Sequence, residues 1–321
     1  MVSRRVFLIA GLVAPVVALG GSIKAATSWR PVVVGRFAKS VSDESNSASV
    51  FASGHFVQIY QDGSFLFDLQ KGGLTKLPFH SNQNGFADGF LWQWSFSDPP
   101  KGLTVHGLGI YPAPRLSDVA GSGSYASAVR IRPGLNLVEL LTSYRFFRWN
   151  LKSHKLELAT QISRYGEVTA LSQDGETVIN AKDDSVDWVS SRTGRVLKTV
   201  STRDTSRFER LCLSEHGAYA IYDAPGRTGA IPQHIVETRS GHILWSFYTE
   251  FPVQNFALSS DERLLALPLP PQHVWQIREL ATGKIVRTLP LVAGTQGGGF
   301  SPDGTKLYSV ANGVLYRQRV L

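Results

Sequence analysis

An all-β chain built from one repeated, four-stranded unit is predicted by three observations. A five-residue signature, Phe300-Ser301-Pro302-Asp303-Gly304, has degraded copies at Leu171-Ser172-Gln173-Asp174-Gly175, Leu213-Ser214-Glu215-His216-Gly217 and Leu258-Ser259-Ser260-Asp261-Glu262. Their starts lie 42, 45 and 42 residues apart, the period of a β-propeller blade of four short strands. Helical repeats of that length would need amphipathic runs of ten or more residues, and the chain has none, while its 30 Gly and 16 Pro supply turns.

The chain opens on an address rather than on the fold. Ser3-Arg4-Arg5-Val6-Phe7-Leu8 resembles a twin-arginine export motif, an apolar run from Val6 to Ile23 follows, and no acidic residue precedes Asp43. Residues 1–28 are therefore read as a signal peptide, with Ala18-Leu19-Gly20 as a small-x-small cleavage site, or as an uncleaved N-terminal anchor, since the run reaches the lower edge of what spans a bilayer. Residues 29–321 are expected to be a single domain in the periplasm or another extracytoplasmic space.

Composition agrees with that destination. Apolar residues make up 43% of the chain, enough for a core, and the single Cys212 cannot form an intramolecular disulfide. The net charge is +8, of which Arg4, Arg5 and Lys24 belong to the leader, and no run of five or six basic residues marks a nucleic-acid surface.

After the leader, Pro31-Val32-Val33-Val34-Gly35-Arg36-Phe37 reads as a strand. The last repeat offers only three strands, around 299–301, 306–310 and 314–320, so residues 31–37 are predicted to complete its sheet and close the ring, removing exposed edges. In between, third strands are read at Phe65–Leu69, Phe147–Leu151, Val186–Val189, Ile235–Glu237 and Val274–Ile277, each followed by a turn. Phe67-Asp68, Trp149-Asn150, Thr193-Gly194-Arg195 and Thr282-Gly283-Lys284 resemble the aromatic-Asp pair and the Thr-Gly-Lys turn of WD40 and YVTN-like propeller repeats. Residues 30–321 at about 42 per unit give seven blades, with six or eight left open.

Residues 81–128 are the hardest stretch to place. Phe90, Trp92, Trp94 and Phe96 alternate with Leu91, Gln93 and Ser95, which puts four rings on one strand face, either as packing between sheets or as a stacking platform for a sugar or aromatic ligand. The segments 98–102 and 112–123 hold too many turn formers for a strand assignment.

Catalytic and metal motifs are scarce. Gly121-Ser122-Gly123-Ser124-Tyr125-Ala126 lacks the strand and helix that a dinucleotide site needs, and the eight histidines include no HExxH and no close pair, with His154 and His216 read as solvated turn residues. Cys212 is read as a small buried hydrophobe on an inner strand. Ser240-Gly241-His242-Ile243-Leu244-Trp245 resembles the tryptophan-docking repeat of quinoprotein propellers, but Lys198 and Arg287 stand in the place of Trp245 in the aligned repeats, which implies a cofactor-free relative.

Binding is therefore sought in the loops. Connections between strands two and three, and between successive sheets, project from one edge, where the fifth unit inserts residues 223–232. Arg203, Arg207, Arg210, Asp223, Arg227 and His273 are expected to line one sector there and to favour a carboxylate, a phosphate or an acidic protein surface. The expected function is a non-catalytic, exported protein- or ligand-binding module, with no cofactor and an envelope protein or acidic ligand as partner. A quinoprotein-like oxidoreductase and a YVTN-like lactonase or hydrolase are the enzymatic alternatives.

Overall fold

A computed structural model describes residues 30–36, 49–53, 56–60, 64–76, 84–87, 90–95, 102–112, 126–142, 145–162, 168–182, 185–201, 210–223, 231–249 and 256–321. Within them lie β1 (Val32–Arg36) and six consecutive four-strand sets. The first sheet holds β2 (Ser49–Ser53), β3 (Phe56–Tyr60), β4 (Ser64–Asp68) and β5 (Leu74–Lys76). The second holds β6 (Asn84–Ala87), β7 (Phe90–Ser95), β8 (Gly102–Val105) and β9 (Gly109–Pro112). The third holds β10 (Ala126–Arg132), β11 (Leu137–Thr142), β12 (Arg145–Asn150) and β13 (Leu156–Gln161). The fourth holds β14 (Val168–Leu171), β15 (Thr177–Ala181), β16 (Ser185–Ser190) and β17 (Val196–Ser201). The fifth holds β18 (Arg210–Leu213), β19 (Tyr219–Asp223), β20 (Ile231–Glu237) and β21 (Ile243–Thr249). The sixth holds β22 (Ala257–Leu258), β23 (Leu264–Leu269), β24 (Val274–Glu279) and β25 (Ile285–Pro290).

The last three strands, β26 (Thr295–Phe300), β27 (Lys306–Ala311) and β28 (Val314–Arg319), form a seventh four-stranded sheet only by accepting β1, in the order β1-β28-β27-β26. Val32 stands opposite Arg317 and Arg36 opposite Val314, so β1 supplies the outer strand as the short last repeat predicts. All pairings are antiparallel between sequence neighbours, apart from this return of the N-terminal strand. The turns joining strands one to two and three to four therefore share one edge, here the lower, while the other connections share the upper edge.

The signature repeat is a hydrogen-bonded lower turn. Ser172, Ser214, Ser259 and Ser301 each accept a backbone N–H five residues on, at 2.8 to 3.0 Å, through the side-chain oxygen. In three turns the serine hydroxyl donates to the following Asp174, Asp261 or Asp303 at 2.5 to 2.6 Å. Such a serine can satisfy the turn only if the chain then reverses through the left-handed region, which Gly175, Gly217 and Gly304 enter at φ 76, 73 and 66°. The sixth sheet uses Glu262 there, at φ 57°, and its carboxylate accepts the backbone N–H of His216 at 2.7 Å, pinning the sixth sheet's turn to the fifth's.

The core lies between sheets, because each buries both faces against its neighbours. Trp92, Trp94, Leu103, Val105 and Tyr111 of the second sheet pack against Ile131, Val138, Leu140, Phe147 and Trp149 of the third, with the Trp94 and Phe147 rings 6.0 Å apart. The described residues among 84–112, hard to read in sequence, thus form a four-stranded sheet, and the rings of Phe90, Trp92 and Trp94 are packing rather than a ligand platform; Phe96 lies outside the described residues. Ile221, Ile235 and Phe247 of the fifth sheet meet Leu265 and Leu267 of the sixth, and Val50, Val57, Ile59 and Phe67 of the first meet Tyr308, Val310 and Leu315 of the seventh. At this last seam β26 carries Gly297-Gly298-Gly299, and a Cβ on Gly299 would lie 2.0 Å from the Val50 carbonyl oxygen. Only glycine lets the inner strands of the first and last sheets approach this closely.

Buried charge joins the third and fourth sheets. Glu139, fully buried on β11, takes salt bridges from Arg132 at 3.0 Å and Arg148 at 2.8 Å. Arg148 also reaches the Gly175 carbonyl and the Glu176 carboxylate of the next sheet's lower turn, both at 3.2 Å. Arg130 donates to the Leu171 and Ser172 carbonyls and then to His216 Nδ1 at 2.5 Å, so one side chain straps three consecutive sheets.

Candidate functional site

The upper edge of the fifth and sixth sheets is where the sequence places a binding sector. Arg210 opens β18 and Asp223 ends β19, and they stand directly opposite each other in backbone register. Asp223 in turn pairs with Gln233 of β20, whose side chain is fully buried. The structure thus brings Arg210 and Asp223 together at the base of the inserted loop. Arg203, Arg207 and Arg227 lie outside the described residues.

His273 sits at the neighbouring upper corner of the sixth sheet. Pro270-Pro271-Gln272 turn once as a 3-10 helix, and His273 ends the turn in the left-handed region at φ 52°. Its N–H donates to the Pro270 carbonyl at 3.0 Å, and its own carbonyl accepts the Leu291 N–H at 2.8 Å, which ties this corner to the connection into the seventh sheet. The imidazole of His273 is exposed. One sheet further on, Asn312 and Gly313, at φ 50 and 71°, close a tight hairpin, and Asn312 Nδ2 donates to the Ala293 carbonyl at 3.2 Å.

On the other flank, the fourth sheet contributes polar residues that sequence reasoning did not single out. The fully buried Asp187 carboxylate takes Lys182 Nζ at 2.5 Å and the Thr199 hydroxyl at 2.6 Å. This ion pair fastens the upper connection of β15 and β16 to the outer strand, so the carboxylate is engaged in structure. In the fifth sheet, burial pulls the imidazole of His234 below its ordinary value, and its Nδ1 lies 2.6 Å from the Ser246 hydroxyl. The only sequence signal for either cluster was a polar residue inside a strand run, which alternation alone reads as solvent-facing.

Elsewhere the candidate chemistry turns out to be packing. Burial pushes the Cys212 thiol up to about 11, which keeps it protonated at neutral pH and unsuited to nucleophilic work. His154, expected to be solvated, lies tilted against Tyr111 of the second sheet, with 4.7 Å between ring centroids and 45° between ring planes. His216, expected likewise, is held by Arg130. Both corrections share a reason: a lower turn that looks solvated within its own sheet is covered by a side chain of a preceding sheet, Tyr111 of the second for His154 and Arg130 of the third for His216. Among the described residues no three His, Cys, Asp or Glu side chains gather as a metal site.

Trp245, placed by resemblance at a docking position, makes a bond between sheets. Trp245 stands opposite Ile235, just as Lys198 stands opposite Trp188 and Arg287 opposite Ile277, confirming the alignment of the repeats. Trp245 Nε1 donates to the Leu280 carbonyl of the next sheet at 2.8 Å, and its ring lies under Gly283, where a Cβ would come within 2.6 Å of the indole. In the fourth sheet the bond to the matching carbonyl, that of Thr238, comes from Trp188 Nε1 at 3.2 Å, while Lys198 Nζ donates one residue further on, to the Arg239 carbonyl at 2.8 Å. Different donors thus serve the same inter-sheet bond.

Comparison with known proteins places this geometry in a fold. No protein-family model matches the chain, and no curated protein matches it either. Among solved structures it is similar to the hydrazine synthase of Kuenenia stuttgartiensis, at TM-score 0.55 and 15% identity over 87% of this chain and 97% of that one. It is similar to the β-propeller domain of Cps50 (Swd1) from Myceliophteria thermophila, at TM-score 0.55 and 14% identity over 91% and 100%. A chain of the mitotic checkpoint complex follows at TM-score 0.52 and 14% identity over 99% of both. At these identities the likeness shows a WD40-like β-propeller fold and nothing finer.

Proposed function

We propose that the chain is a non-catalytic, protein-binding β-propeller, its seven sheets forming one closed seven-bladed ring, and that it works in the cell envelope after twin-arginine export. The ring reading draws on the seven four-stranded sheets, on the return of β1 to β28, and on the packing of the last sheet against the first. One neighbour in fold belongs to the mitotic checkpoint complex, an assembly, which accords with a scaffold that carries a partner. Export draws on Arg4-Arg5 and the apolar run behind them.

The observation that carries the site is the pairing of Arg210 with Asp223 at the foot of residues 224–230, beside the rigid His273 corner. A long connection held between fixed strand ends is where a rigid scaffold presents contacts, and arginines there suit acidic side chains through bidentate hydrogen bonds. The combined substitution Arg203→Ala, Arg207→Ala and Arg227→Ala is expected to weaken capture of an envelope protein by at least tenfold with the melting temperature unchanged. Undiminished capture would remove this sector from the proposal, and a visible absorption band in the natively exported protein would replace the binding reading with a redox one.

A further inference from the structure

Eleven large apolar side chains are exposed among the described residues, and ten of them lie at or toward the lower edge. Single exposed apolar residues need no explanation, but a common placement does. Ile110, Leu156, Leu197 and Leu244 each occupy the first or second position of an outer strand, directly after the turn from the third strand, and Ile285 with Val286 does so in the sixth sheet. Val32 and Val33 take the equivalent place in the seventh, on the half of β1 that pairs with Arg317 and Tyr316. Tyr248 alone sits high on its strand, where exposed positions of other outer strands are Gln161, Ser201 and Pro290.

Charge follows the same geometry. The turns that precede these residues carry Lys71, Lys155, Arg195, Arg239 and Lys284, with His106 in the second sheet, and no Asp or Glu. The acids of the lower edge sit elsewhere: Asp174, Asp261 and Asp303 are folded into the inner turns, and Glu237 and Glu279 accept hydroxyls from Ser240 and Thr282. Glu237 and Glu279 lead into the outer turns of the fifth and sixth sheets but are bonded to those turns' own hydroxyls, and Glu157 lies exposed beside Leu156 in the third, so the turn residues themselves are basic and the strand starts after them aliphatic. The outer strands of the fourth to seventh sheets contain no acidic residue at all.

Such a rim is an exposed sheet edge of the kind that proteins normally blunt with charge. Aliphatic side chains next to a row of cations instead match the headgroup layer of an anionic membrane, where apolar burial and attraction to lipid phosphate add. The chain supplies a third indication. It enters the fold at Arg30 and runs up β1 from this same edge, and the sequence before it contains the apolar run Val6 to Ile23. We propose that the lower rim of the fifth, sixth and seventh sheets docks edge-on to an anionic lipid surface, with Leu244, Ile285, Val286, Val32 and Val33 in the headgroup layer and Arg239 and Lys284 on lipid phosphates. The contact is independent of the protein-binding reading, and it leaves the upper edge facing away from the membrane.

The test is flotation of the full chain with vesicles of phosphatidylcholine alone and with about a quarter phosphatidylglycerol, at low and high salt. The unaltered protein should float with the anionic vesicles and be released by salt. The pairs Leu244→Ser with Val286→Ser, and Arg239→Glu with Lys284→Glu, should each weaken partitioning by at least about tenfold. Ile110→Ser, on the far rim, should change nothing. All these chains retain the apolar run, so equal binding to neutral and anionic vesicles by every variant would assign attachment to that run and overturn the proposal. Equal loss in Ile110→Ser would do so too, as would salt-insensitive binding of the unaltered protein, a result that requires no variant to fold.

Discussion

At the lower edge four inner turns repeat one hydrogen-bond scheme, built on Ser172, Ser214, Ser259 and Ser301, whereas at the upper edge the described connections share none. There the fourth sheet uses a buried Lys182–Asp187 pair, the sixth a 3-10 turn ending on His273, and the seventh an Asn312-Gly313 hairpin. Both edges belong to the same strands, so the difference is not one of stability in the sheets. The lower turns must also seal each sheet to the next, through Glu262 onto the fifth sheet, Arg148 onto the fourth, and Trp245 onto the sixth. A turn with two tasks tolerates few solutions. The upper connections have mainly to join strands, which leaves them room to differ and, in the fifth sheet, to lengthen.

If that contrast holds, damage at the lower edge should cost stability and damage at the upper edge should cost binding. The largest effect is expected from Glu139→Ala, which leaves the buried Arg148 and the partly buried Arg132 without their shared carboxylate; chemical denaturation should show a loss of about 3–5 kcal/mol. A loss below about 1 kcal/mol would mean that the Glu139 ion pairs add no more than an exposed pair does.

Gly283→Ala should come next. The new methyl would force φ 72° on an L residue and meet the Trp245 ring at 2.6 Å, so about 1–3 kcal/mol is expected in the same experiment. Gly72→Ala has a similar φ of 71° but nothing within 4 Å of the new Cβ, so it isolates the backbone part of the cost. Equal losses in the two variants would break the claim that these turns act as seals.

The smallest effect is a pH dependence. The hydroxyl of Ser301 holds the Asp303 carboxyl below its usual 3.8, and that of Ser172 does the same for Asp174, each helped by backbone N–H groups. A carboxyl lowered on folding adds stability that is complete above its unfolded value and is lost as pH falls through the folded one. Melting temperature should therefore decline below pH 3.8 in the parent, and Asp303→Asn with Asp174→Asn should flatten part of that decline. Both residues are exposed, so a fraction of a kcal/mol is the most to expect. An unchanged acid limb would show that these turns hold without their carboxylates.

What could be read in advance follows the same division. Phe300 to Gly304 announced the period because serine, aspartate and glycine in that order satisfy a turn within five residues, with no help from the rest of the chain. The return of β1 to β28 was legible from a missing strand, and the place of Lys198 and Arg287 from the repeat spacing. The proposed binding sector was legible only as a loop of unusual length. Arg210 and Asp223 proved to face each other in register, while His154 and His216 were misread because the sheet that covers them lies 40 or more residues away in sequence. The rim of exposed aliphatics had left no mark either, since Leu197 and Leu244 read as core residues of any alternating strand.

By itself, then, the sequence determined the turns, which depend on residues within a few positions of each other, and through their recurrence the strand period and the missing fourth strand of the last repeat. Tertiary structure decided which polar groups are spent between sheets, as Arg130 and Arg148 are, which are paired inside one, as Asp187 is, and which apolar ones are left on the rim. The physical reason is that burial belongs to the surface formed by two sheets together. One strand's pattern cannot say what the neighbouring sheet covers.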